Sequence, residues 1–332
     1  MKKLLLSLLL VSFVISSCKK EPQIEQANAE IQTMATSANK HPVTAPPIIF
    51  TQTNLFPEGV VYDPFNNWFY VSSVTRGDIG IVKRDGTYSV FTGDSALTST
   101  NGLEIDKARK RLYVCNSPGS VAAYSLRTGQ RIFLANLKAL LPTTRIFIND
   151  IALDAYGNAY ATNSAAPVIY KITPGGIASI FYQDSAFALP AGQFGFNGIE
   201  FGHAGYLLVS FSSKNQVIKF PLSSPSAYNF INLNAPLIGP DGLLLSKDGK
   251  ELIVVNNAGG REGKVLSFAS NDKWKTATLT DSFSTGPVFP TTATTDGRNV
   301  YVLYAYLNQR AAGRATFTIQ PIPATRKEDC AF

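Results

Sequence analysis

Short apolar runs, each bounded by turn residues, recur along most of the chain, and their grouping repeats. Six segments carry the same signal: PEGVVYD (57–63), TNGLEID (100–106), INDIALD (148–154), FNGIEFG (196–202), PDGLLLS (240–246) and PTTATTD (290–296). Their second residues are Glu58, Asn101, Asn149, Asn197, Asp241 and Thr291, spaced by 43, 48, 48, 44 and 50 positions. Each is followed by a turn and a strand-like run: WFYVSS, RLYVCN, NAYATN, YLLVSF, ELIVVN and NVYVLY. Further runs such as DIGIVK, SVAAYS, VIYKIT and QVIKFP complete each unit, and no long amphipathic helix interrupts them. A period of 40–50 residues with about four short strands per unit predicts an all-β fold, a six-bladed β-propeller. The last unit lacks an obvious final strand, and residues 48–51 are placed to supply it and close the ring.

In a propeller the first strand of each blade lines the central channel, so equivalent positions converge on one circle. That circle carries Glu58, Asn101, Asn149, Asn197, Asp241 and Thr291. An all-oxygen set suits a hard cation such as Ca²⁺ or Mg²⁺ better than zinc, which favours Cys and His. Two carboxylates buried together raise each other's pKa, a cost that a cation offsets. The competing reading is that Asn-Gly and Asp-Gly are only turns leading into strands. Glu58-Gly59 and Asn149-Asp150 fit that reading poorly.

The ends of the chain are of a different character. Lys2 and Lys3 precede an apolar run from Leu4 to Ile15, too short to span a bilayer and read as a signal peptide over 1–17. Ile15-Ser16-Ser17-Cys18 resembles the lipobox of bacterial lipoproteins, which makes Cys18 the lipidated mature N-terminus. Residues 18–45 are polar and end in prolines, a flexible tether, leaving 46–332 as the propeller. The protein is therefore expected to be exported and lipid-anchored to a bacterial membrane, the outer membrane first, on its surface or its periplasmic face. The remaining cysteines, Cys115 and Cys330, form one bond at most, and Cys115 in RLYVCNS reads as a small buried apolar residue.

Composition narrows the chemistry. The 332 residues carry a net charge of +7, but the basic residues are scattered and no basic helix or aromatic-interleaved stripe argues for nucleic acid. KARKR (107–111) reads as a solvated hairpin tip. With two histidines, His41 in the tether and His203 in a turn, a histidine-based triad is unsupported. NNAGGREGK (256–264) lacks the glycine spacing of a phosphate loop. No exposed apolar stripe is evident, so a monomer is expected.

The PEG, IND, FNG and PDG segments resemble the senescence marker protein/gluconolactonase (regucalcin-like) family of six-bladed propellers, over about residues 50–310. The resemblance implies a divalent metal held by Glu58, Asn197 and Asp241, with Asn149 on the substrate side. It implies a metal-dependent hydrolase of a lactone or related ester, with Asp241 also acting as general base and Asn101 a further substrate contact. Calcium is the first expectation for the metal, with magnesium, manganese or zinc as alternatives. The sequence departs from the family in two places. Phe147 stands where sugar-lactone members carry an arginine, the nearest being Arg145, and Tyr62 replaces a usual tryptophan. A pocket edged by Phe147, Phe194 and Phe196 would favour a less polar small molecule. The alternative is a non-catalytic propeller that binds a ligand or a protein, its metal purely structural.

Overall fold

The computed structural model of the protein describes residues 45–323. The expected signal peptide, Cys18, nearly all of the expected tether, His41 and Cys330 lie outside the described residues. Six sheets follow one another along the chain, each starting from an inner strand. The inner strands are Val60–Asp63, Thr100–Asp106, Ile148–Leu153, Phe196–Gly202, Pro240–Leu245 and Pro290–Thr295. Each touches the inner strand of the next blade, and the sixth touches the first, so the circle closes. Successive strands within a blade pair antiparallel. The six-bladed β-propeller expected from the repeat is the observed fold.

Strand position explains the apolar pattern. Second strands such as Tyr206–Phe211 and Glu251–Asn256 are buried along their whole length. A neighbouring blade covers each of their faces, so they read as continuous rather than alternating apolar runs. Outer strands such as Ala178–Gln183 face solvent over most of their length. The core is accordingly divided into six clusters, one at each blade–blade interface. Cys115 is fully buried in the cluster between blades 2 and 3, a free thiol used as a small apolar side chain.

Closure of the ring uses the other end of the chain. Ile48–Thr51 is the outermost strand of the last blade, paired antiparallel with Thr316–Ile322. Its inward residues Ile48 and Phe50 are buried against Phe317 and Phe69. Arg84 of blade 1 reinforces the same seam. Its guanidinium pairs with Asp296 of blade 6 at 2.9 Å, bonds the Tyr301 hydroxyl and lies 5.1 Å over the Phe69 ring. Residues 107–110 form a turn, as expected of a hairpin tip, but Arg109 is not simply solvated. It pairs with Asp106 at 3.0 Å and donates to the Tyr156 carbonyl of the next blade at 2.8 Å.

Candidate functional site

The side chains of interest sit in a repeated backbone irregularity. In blades 2 to 6 the pairing of the inner strand skips two residues: between Thr100 and Leu103, Ile148 and Ile151, Phe196 and Ile199, Pro240 and Leu243, and Pro290 and Ala293. Each skip contains the residue singled out by the repeat, and bulges of this kind re-aim side chains beside functional sites. The glycines that follow are there for space. A Cβ on Gly59 would lie 2.3 Å from the Asn101 carbonyl oxygen, and one on Gly198 2.3 Å from that of Asp241. On Gly102 it would meet Asp150 Oδ1 at 2.2 Å, and on Gly242 the Thr292 Cα at 2.6 Å. None of these four glycines has a positive φ. The Asn-Gly and Asp-Gly pairs are therefore not turns but the points where neighbouring inner strands approach too closely for a side chain.

A second repeat orients the ring. In blades 1 to 5 the residue just beyond the second strand reaches back: Asn101, Asn149 and Asn197 donate from Nδ2 to the hydroxyls of Ser117, Ser164 and Ser212 at 2.7, 2.9 and 3.0 Å. Asn257 plays this part in blade 5, donating to Asp241 Oδ2 at 2.7 Å. In blade 1, Ser72 Oγ accepts from the backbone of Glu58 and Gly59 at 3.1 and 2.7 Å. With their NH₂ groups engaged, Asn101 and Asn149 leave Oδ1 buried and without a partner among the described residues. Buried acceptors are almost always satisfied, so two orphans on one ring call for a donor or a cation.

Glu58, Asp150, Asn197 and Asp241 line a small cavity, about 10 Å³, together with Gly59, Gly102 and Gly242. That is room for about one water molecule or one ion. Burial pushes the Glu58 carboxyl well above its ordinary range, and the nearby Asp241 and Asp150 push it further. Asp241 is raised to about 7, by burial first, with Asp150 adding to it and the hydrogen bonds from Asn257 and Asn197 opposing it. Asp150 is also raised to about 7 by burial, although it accepts from the Ile151 and Ile199 amides at 2.9 and 3.2 Å. Further along the channel, burial raises Glu104 to about 7 and Glu200 well above the usual range. Three mutually repelling carboxyls around a one-ion cavity form a site whose electrostatics favour a cation. Among the described residues no three His, Cys, Asp or Glu side chains are grouped to hold a metal. The side-chain oxygens that line the cavity are those of Glu58, Asp150 and Asp241 with the amide of Asn197, the hard-donor chemistry a cation such as Ca²⁺ or Mg²⁺ takes.

Of the residues expected from the sequence, Glu58, Asn197 and Asp241 share the cavity. Asn101 and Asn149 flank it, while Thr291 is turned to the backbone, donating to the Glu58 carbonyl at 2.7 Å. Asp150, Glu104 and Glu200 are the acidic residues that the repeat did not single out. Asp150 had a legible signal, since it stands in the register where four blades have glycine. Phe147 packs edge-on against Phe194 with centroids 5.4 Å apart, and Phe194 is exposed. Phe196 does not edge a pocket with them, because it is buried in the cluster between blades 3 and 4. Arg145, the nearest arginine, donates from its guanidinium to the Leu189 carbonyl at 2.8 Å. His203 lies in the turn after Phe196–Gly202, beside the Phe201 ring.

The family model described as SMP-30/gluconolactonase/LRE-like region matches residues 56–305, a span that holds all six ring positions. No curated protein matches the sequence. Among solved structures, the major Malassezia sympodialis allergen Mala s 1 superposes with a TM-score of 0.66 at 21% identity, covering 83% of this chain and 96% of that one. A luciferin-regenerating enzyme gives 0.57 at 13% identity, over 85% of this chain and 99% of the other. A protein assigned as a gluconolactonase gives 0.56 at 16% identity, over 85% and 96%. At these identities the structural likeness concerns the fold.

Proposed function

Because the chain belongs to the SMP-30/gluconolactonase/LRE-like family, we propose that it is a divalent-cation-dependent hydrolase of a lactone or related ester. The observation that carries this reading is the convergence of Glu58, Asn197 and Asp241 on one ion-sized cavity in which the carboxyls of Glu58, Asp241 and Asp150 repel one another. These three residues would hold the cation, calcium first, with magnesium, manganese or zinc as alternatives. When bound, it supplies Lewis-acid polarisation of the ester carbonyl and stabilises the developing negative charge.

The chain's own residues do the remainder. Asn257 fixes Asp241 through Oδ2, and as a carboxylate Asp241 takes the proton of the attacking water. Burial raises this carboxyl in the cation-free protein, and a neighbouring cation would pull it back toward the ionised form that a general base needs. Ser212 orients Asn197 so that its carbonyl oxygen is the available end. Asn149, and secondarily Asn101, offer the unpartnered Oδ1 atoms to a substrate hydroxyl or a bound water. The Phe147–Phe194 pair, where sugar-lactone members carry an arginine, favours an aliphatic or aromatic lactone over a sugar lactone.

The proposal places this hydrolase outside the cytoplasm. The leader and the Cys18 lipobox support a lipid anchor, in the outer membrane, with the polar segment 18–45 as tether. The partners are then a small-molecule substrate and the membrane, with no nucleic acid, and the propeller acts as a monomer.

The test is hydrolysis of aliphatic, aromatic and sugar lactones by the protein with Ca²⁺, Mg²⁺, Mn²⁺ or Zn²⁺, with and without chelator. Chelator-sensitive turnover is expected, falling by about 10²-fold or more in Asp241→Ala. Full activity in that variant would sink the mechanism. One observation favours a second reading, a binding propeller with a structural cation: the cavity holds little more than the ion. A melting temperature raised by cation without turnover of any lactone would select it.

A further inference from the structure

A second pocket lies at the opposite end of the strands from the oxygen ring, between blades 4 and 5. Its volume is about 470 Å³, within the range of small-molecule sites. Tyr206 and Trp274 form a buried wall, locked together because the Trp274 indole donates to the Tyr206 hydroxyl at 3.0 Å and to the Gly249 carbonyl at 2.8 Å. Three lysines line the pocket around this wall, the half-buried Lys219 and the exposed Lys250 and Lys273. Lys219 lies 4.8 Å over the Tyr206 ring and donates to the Lys273 carbonyl at 2.7 Å.

Charge in the pocket is unbalanced. The one carboxylate in its lining, Asp248, accepts from Ser246 Oγ at 2.7 Å and from the Lys250 amide at 3.0 Å. Its contact with the Lys250 ammonium is loose, at 3.9 Å. Asp272 nearby is taken up by the turn, accepting from the Lys275 and Thr276 amides. Burial, with Lys273 and Lys275 adding to it, pushes the Lys219 ammonium down, against a smaller opposing pull from Asp272. The wall is also strained. Lys273 and Trp274 are consecutive residues with φ of 63° and 65°, a left-handed conformation costly for side chains of this size and concentrated at ligand clamps. That conformation presents the Lys273 carbonyl to Lys219 while Trp274 packs into the wall.

We propose that this pocket binds a small organic molecule through an oxyanion group, a phosphate, sulfate or carboxylate, held by Lys219, Lys250 and Lys273. An ammonium has three protons to donate, and the Lys273 carbonyl takes only one from Lys219. A half-buried cation against an aromatic wall gains more from an oxyanion than a fully solvated one does, because the charge-assisted hydrogen bond is less screened there. The site is independent of the oxygen ring and of the reaction assigned to it.

Trp68 and Trp274 are the only tryptophans, so the indole N–H signals of the ¹⁵N-labelled protein provide a local probe and an internal control. Trp68→Phe assigns them. Sodium phosphate, sulfate and acetate are titrated separately against sodium chloride at matched ionic strength. The expected result is a saturable shift of the Trp274 signal with at least one oxyanion and none for Trp68. Lys219→Gln should abolish it, and Lys273→Asn, which keeps a residue tolerant of left-handed backbone, should weaken binding about tenfold. Phosphate or sulfate acting without acetate would assign a tetrahedral group, and acetate alone a carboxylate. No shift beyond that of chloride would overturn the proposal. An unchanged titration in Lys219→Gln, with the Trp68 signal at its native position, would do the same.

Discussion

At the scale of single residues, the site is made by what is missing as much as by what is present. Gly102 has no side chain because Asp150 occupies the space one would take. Replacing it with alanine forces a Cβ against Asp150 Oδ1 and Cα, an overpacking worth about 1–3 kcal/mol. Urea unfolding of Gly102→Ala should show a loss in that range, and a stability equal to the parent would contradict the close-packed ring. The sequence made the ring legible through Glu58, Asn101, Asn149, Asn197 and Asp241 in one register. Asp150 was legible only as the one acidic residue in a register of glycines, and the bulge, which breaks simple strand alternation, lets that next position reach the cavity as well. Glu104 and Glu200, three positions past the ring residues, carried no such mark. The sequence also hid the Ser117, Ser164, Ser212 and Asn257 braces, which only three-dimensional pairing connects to the ring.

At the scale of elements, the missing outer strand of the last blade was legible as a deficit in one unit and a spare apolar strand in another place. Ile48 and Phe50 face inward while Ile49 and Thr51 face out, the two-residue period that fixes a strand's register. Phe50 is 1% exposed and packs 6.0 Å from Phe317, ring to ring. Phe50→Ala should destabilise the protein by about 3–5 kcal/mol, measured as a lowered midpoint of chemical denaturation. A change below about 1 kcal/mol would mean that the seam does not depend on this strand. The Arg84 bridge to Asp296 and Tyr301 was not legible, because its partners lie more than two hundred positions away. Phe196 shows the opposite limit: adjacency to Asn197 suggested a pocket edge, but strand alternation sends its ring into the interblade cluster.

At the scale of the whole molecule, the ring of carboxyls ties proton binding to stability, and the proposed cation would be tied to both. Glu58, Asp150 and Asp241 all have folded-state pKa values raised above those of an unfolded chain, near 4. A raised carboxyl keeps its proton in the fold where the unfolded chain has lost it. For Asp150 and Asp241 the cation-free protein therefore loses stability as pH climbs from about 4 to about 7, with Glu58 acting in the same direction, and a bound cation would restore it. The same protons compete with the cation, so affinity must rise with pH through about 7. Calorimetric titration of Ca²⁺ into the chelator-stripped protein at pH 6 and pH 8, beside Asp241→Asn, measures this directly. One site is expected, bound about tenfold or more tightly at pH 8, releasing protons, and lost in the variant. No binding at pH 8, or equal binding by Asp241→Asn, would contradict the assignment of Glu58, Asn197 and Asp241 as a cation site.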